Sequence, residues 1–134
     1  MIRAGVVFLA ILQGFVGLVQ LLAPRTFYDI PWVSLLPPYN EHLMRDVGAL
    51  TLAYVLVLAA AAIWPEQRLV RVALAANLMW TVPHLVFHAT HLDHFATSDA
   101  IGLTTVLALA VVLPAALLAL TWRLPVSAGS SSPE

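Results

Sequence analysis

The chain has 134 residues, of which 61% are hydrophobic and only 10% charged, with a net charge of −1 and a mean hydropathy of +0.91. Water-soluble domains carry roughly 45–50% apolar and about 25% charged residues, so this composition cannot cover a globule with polar surface and predicts an integral membrane protein. The six cations are all Arg, which removes Lys Schiff-base chemistry. The absence of Cys removes thiol redox, thiolate zinc sites and c-type haem attachment, and the absence of a basic run speaks against nucleic acid as a partner.

A spanning helix needs about 20 apolar residues, and the sequence predicts four: Ala4–Ala23, Glu41–Trp64, Leu69–His91 and Asp99–Trp122. The predicted fold is therefore an all-α membrane protein, a single four-helix antiparallel bundle over residues 1–123 with the lipid bilayer as its surroundings. The first span follows a lone Arg3, exceeds the 7–15 apolar residues typical of a cleaved leader and lacks a small-x-small cleavage pattern, so it is read as retained. Within it Gln13, Gly17 and Gln20 share one face that should point into the bundle. Gly14 and Gly17 invite close approach of another backbone.

The first connection, residues 24–40, holds Pro24, Pro31, Pro37 and Pro38 among Phe27, Tyr28, Trp32 and Tyr39, the pattern of a rigid aromatic loop lying at the membrane interface. Arg25 and Asp29 in this loop are read as solvated. Asn40 is placed to cap the second span, with Glu41 in its first turn and an Arg45 partner four residues on. The next connections, 65–68 and 92–98, are short, and Ser98 followed by Asp99 reads as an N-cap and a first-turn acid. The small, polar residues 124–134 are expected to be disordered.

Four spans put both termini and the second connection on one side, together with Arg3, Arg68, Arg71 and Arg123, against Arg25 and Arg45 on the other. The positive-inside bias then predicts a multi-pass protein of a bacterial inner membrane with N- and C-termini in the cytoplasm. Every His falls toward the outer half.

The third span carries the most chemistry. Asn77, Thr81, His84, His88 and His91 recur at spacings of 4, 3, 4 and 3, which is one face of an α-helix running on the order of 20 Å at about 1.5 Å per residue. Polar side chains at that depth belong in a bundle interior or a wet cavity. Pro83 withholds a helical donor and frees the Met79 carbonyl beside them. His42 and Asp46 lie at the outer end of the second span and Asp99 at the start of the fourth, so the expected geometry is one outer vestibule.

His84, His88 and His91, completed by His42 and Asp46, are a ligand set suited to a transition metal such as Zn, Cu or Fe. The same groups suit proton relay near neutral pH. A bis-His haem b needs a His on a second helix, for which only His42 is available. Against these stand plainer readings: a single membrane-edge His as a hydrogen-bonding packing residue, Asp99 as a helix-dipole acid, and Gln13 and Gln20 as interhelical glue.

The strings Phe27-Tyr28-Asp29, Pro38-Tyr39-Asn40-Glu41-His42-Leu43 with Arg45-Asp46, and Pro83-His84-Leu85-Val86-Phe87-His88 with His91 and Phe95 resemble a group of small four-helix actinobacterial membrane proteins that looks like a branch of the DoxX-like set. The resemblance covers most of the chain to Arg123. It implies a four-span bundle and no particular activity, although the association of some DoxX-like members with respiratory or redox complexes implies an accessory role. The expected function is thus a small membrane protein with an outward His/Asp site for metal or protons, working as a homo-oligomer or within a larger complex. The alternatives are a membrane isomerase or oxidoreductase acting on a lipid, quinone or sterol-like molecule, and a purely structural subunit assembled through the Gly14/Gly17 face.

Overall fold

The computed structural model describes residues 1–35 and 38–123. Its regular structure among these residues is helical: α1 (Ile2–Leu22), α2 (Pro24–Tyr28), α3 (Pro31–Ser34), α4 (Glu41–Ile63), α5 (Gln67–Ala89) and α6 (Thr97–Thr121). Helices α1, α4, α5 and α6, of 21, 23, 23 and 25 residues, are long and apolar enough to cross a membrane. The fold is the expected multi-pass four-helix bundle. The expected disorder of 124–134 lies outside the described residues.

Local chemistry explains most boundaries. Asn40 caps α4 by accepting the Leu43 amide at 3.0 Å. Residues 24–35 of the first connection are more ordered than a loop, because Pro24 and Pro31 each occupy the first helical turn, where a missing N–H costs nothing, and start α2 and α3. Ser98 is not an N-cap: α6 begins earlier, from an extended Ala96 whose carbonyl accepts the Ala100 amide at 2.9 Å, which leaves Ser98 inside the first turn beside Asp99. Helix α5 continues through Pro83, and α6 through a buried Pro114.

Packing divides the bundle into two antiparallel pairs, α1–α4 and α5–α6, with much smaller contacts from α4 to α5 and from α1 to α6. The core that joins the pairs lies at the end of the bundle carrying both termini. It is built from Val6 and Leu9 of α1, Leu58, Ala61 and Ala62 of α4, Val70, Ala73 and Leu74 of α5, and Leu117 of α6. Toward the opposite end, where α2 and α3 form a strap, each pair is held by its own contacts.

In the α1–α4 pair the backbones meet at Gly17 and Gly48, both buried. A Cβ on Gly48 would lie 2.6 Å from the Leu21 amide nitrogen and 2.9 Å from the Gly17 carbonyl oxygen, so only glycine permits this crossing. Gly17 is consumed by the same contact, whereas a Cβ on Gly14 would meet only Val55 at 3.7 Å. The Gly14/Gly17 face expected as an assembly surface is therefore in part an intrachain one.

Two Arg residues close the helix ends. Arg45, in the second turn of α4, donates to the Leu21 carbonyl at the end of α1 while pairing with Glu41 at 2.9 Å. Arg71 of α5 donates to the Thr121 carbonyl at 3.0 Å and its hydroxyl at 3.1 Å, and lies 3.7 Å from the Trp122 ring centroid. Gln67 adds a 2.6 Å bond to the same carbonyl. In each pair a guanidinium thus satisfies a C-terminal carbonyl that has no helical donor, and sits at the negative end of the partner's dipole.

Gly48→Ala is expected to destabilise the protein by about 1–3 kcal/mol, since backbone rather than a flexible side chain is in the way. Gly14→Ala should be close to neutral. Thermal unfolding in detergent checks the contrast.

Candidate functional site

The polar face of α5 is the first feature to place. Asn77 is fully buried and Thr81 is 8% exposed, with Thr81 donating to the Asn77 carbonyl at 3.0 Å. Neither atom of the Asn77 amide makes a hydrogen bond of acceptable geometry, although it sits beside the Tyr54 hydroxyl of α4, which is itself engaged with the Ala73 carbonyl at 2.9 Å. An amide left this way in a low-dielectric interior is costly.

One turn further toward the strap, His84 and His88 are half-buried and adjacent. Their ring centroids are 4.6 Å apart in an edge-to-face arrangement, and His88 Nδ1 is buried with no hydrogen-bond partner. Trp80 stacks on the other side of His84 at 5.3 Å with an interplanar angle of 17°. The i, i+4 steps from Trp80 through His84 to His88 make this a continuous ring ladder on one face of α5. The Trp80 position was available in the sequence, four residues before His84.

The other expected ligands are elsewhere. His91 lies past the end of α5 and is exposed; it stacks on Phe87 at 4.3 Å and its Nδ1 is 2.8 Å from the Phe87 carbonyl oxygen. A carbonyl can only accept, so His91 carries its proton on Nδ1 and turns back onto its own helix. His42 and Asp46 form their own pair at 3.3 Å on an exposed face of α4, with side chains 87% and 55% exposed. Such a pair contributes little to stability. The five residues His84, His88, His91, His42 and Asp46 thus separate into two pairs and one self-capped ring. Among the described residues no group of three or more His, Cys, Asp or Glu is arranged to hold a metal ion.

Asp99 has a role that sequence spacing alone does not reveal. It accepts a 3.2 Å hydrogen bond from the Trp32 indole N–H, linking α3 to the first turn of α6 across 67 residues of sequence. Gly102 makes room for the ring, because a Cβ there would lie 3.0 Å from it. The strap, tied at its other end by the Arg25–Asp29 pair at 3.0 Å and by Arg25 over the Tyr28 and Tyr39 rings, therefore docks on the α5–α6 pair. Arg25 and Asp29 are paired rather than simply solvated, though both are more than half exposed.

Below the strap, a cleft of about 200 Å³ lies between α4 and α5. Gln13, Val47, Leu50, Thr51, Tyr54, Ala76 and Trp80 line it. A second, shallower basin of about 330 Å³ sits on α6 around Thr97, Ile101 and Thr104.

Comparison with family models, with curated proteins and with solved structures finds no match for this chain.

Trp32→Phe keeps most of the ring and removes the donor to Asp99. Amide hydrogen exchange in residues 24–35 is expected to quicken by about 2- to 10-fold, the equivalent of one ordinary hydrogen bond, while the amides around Leu58 and Leu74 stay protected.

Proposed function

We propose that the protein is a multi-pass protein of a bacterial plasma membrane in which His84 and His88 relay protons between the strap end of the bundle and its interior. The Arg distribution supports a cytoplasmic position for both termini, so the relay would open outward. The observation that carries this reading is the buried, unpartnered Nδ1 of His88 beside His84. Imidazole gains and loses a proton near neutral pH, and two rings one helical turn apart can hand it on through ring rotation or a bridging water. The polar face that carries the His ladder continues inward to Thr81 and Asn77.

The relay reading is preferred to a resident metal on chemical grounds. A zinc site takes three or four protein donors, and His84 and His88 supply two. The reach of the ladder supports an accessory role in a larger membrane complex, since a path that ends inside one bundle needs a neighbour or ligand to take the proton. The DoxX-like resemblance agrees with such a role by analogy only.

Nitrogen-15 NMR of ring-labelled histidine in nanodiscs tests the relay. Across the pH range in which the protein stays folded, His84 and His88 are expected to exchange protons with water and to titrate as a coupled pair, and H88Q should uncouple His84. Fixed neutral tautomers for both rings across that range would defeat the proposal. Titration with Zn(II) is expected to give no stoichiometric binding; tight 1:1 binding that H84Q and H88Q both abolish would replace the relay with a metal site.

A further inference from the structure

The cleft between α4 and α5 is a gap in the bundle's side rather than in its mouth. It arises where the two helix pairs part beyond the shared core, and its rim residues Leu50 and Trp80 are 70% and 51% exposed on the lipid-facing surface. Ala76 and Trp80 stand on one face of α5, and the short side chain of Ala76 leaves the space that the Trp80 ring walls.

The lining has polar groups but no charges. Two of them are already used: Thr51 donates to the Val47 carbonyl at 2.8 Å, and Tyr54 donates to Ala73. Gln13 is different. It is half-buried and lines the cleft, and its amide has no hydrogen-bond partner among the described residues. Directly behind Tyr54 lies the fully buried Asn77 amide, beside the Tyr54 hydroxyl and out of reach of the cleft. In hydrocarbon, an unpaired amide finds no water to satisfy it. The Gln13 amide in a laterally open cleft calls for a ligand that brings its own polar atom.

We propose that this cleft binds the head of a neutral lipid, a flat ring bearing a hydroxyl or carbonyl oxygen on a hydrocarbon tail. Neutrality follows from the absence of any charged lining residue, because a charged head would go unpaired in the membrane. The volume, about 200 Å³, is below the roughly 300–1,000 Å³ of pockets that enclose whole ligands. It fits a headgroup whose tail remains in the bilayer. Trp80, stacked on His84, offers a ring wall against which a flat ring packs better than a flexible chain. Gln13 supplies donor and acceptor for the oxygen. The site does not depend on proton relay by His84 and His88.

A diazirine-tagged 4-alkylphenol, photolysed with the full chain in nanodiscs and mapped by peptide mass spectrometry, tests the proposal. Labelling is expected to concentrate on residues 47–54 and 76–80. Untagged alkylphenol should compete, and a straight-chain alcohol of equal carbon number should not. Gln13→Leu is expected to weaken competition by about 2- to 10-fold, the worth of one hydrogen bond, and Ala76→Phe to abolish the specific label. If Ala76→Phe fails to fold, Leu50→Trp at the exposed rim blocks the same opening. Uniform labelling along the four spans, equal competition by the straight-chain alcohol, or unchanged labelling in the blocked variants would overturn it. H88Q, which removes the relay, should leave the labelling intact, so the two proposals fail separately.

Discussion

Hydrocarbon offers no hydrogen bonds, and that single condition organises this molecule. It forces the chain into helices that satisfy their own backbone groups, and it makes each helix end a liability, because the last carbonyls have no internal donor. Arg45 and Arg71 answer that liability in the same way: each reaches from the start of one helix to the final carbonyls of its antiparallel neighbour. Each of these charge-assisted bonds is worth about 1.5–3 kcal/mol, and each ties one helix pair together at one end. The pairs are therefore defined by polar as well as by apolar contacts.

The same condition makes exceptions informative. Thr51, Thr81 and Thr90 return their hydroxyls to carbonyls of their own helices, so they carry no unmet need. Gln20, Asn77, His88 and Thr104 each carry a buried polar atom with no hydrogen bond of good geometry, and all of them lie on the strap side of the shared core. The tight end of the bundle has its polar groups accounted for by Arg71, Gln67 and Thr121. Stability and chemical capacity are thus separated along the bundle axis. The strap spans the open end, and the Trp32–Asp99 bond is the contact that draws it over the α5–α6 pair.

Much of this was legible in the sequence. The four spans follow from runs of about 20 apolar residues, since span length is set by the thickness of the bilayer rather than by any neighbour. The Asn40 cap, the Glu41–Arg45 pair and the shared face of Asn77, Thr81, His84 and His88 depend on spacing within one helix, which helical geometry fixes. Contacts between helices were not legible. Gly48 gave no signal of its own because its importance depends on where Gly17 crosses it, and the Trp32–Asp99 bond joins residues whose separation in sequence carries no period.

The expected five-residue site shows the boundary most clearly. Helical periodicity places His84 and His88 together on α5, and the structure keeps them together, because one helix suffices to do so. It says nothing about the azimuth of α4 relative to α5, which the Gly17–Gly48 crossing and the Tyr54–Ala73 bond determine, and which leaves His42 and Asp46 on an exposed face. Nor could it show that His91, beyond the end of α5, folds back on Phe87. The sequence by itself determined a four-helix membrane protein with a polar face on one span, because those depend on hydropathy and on period. Only the tertiary structure decided which polar groups meet, which remain unpaired, and where the bundle opens, because those depend on how helices cross.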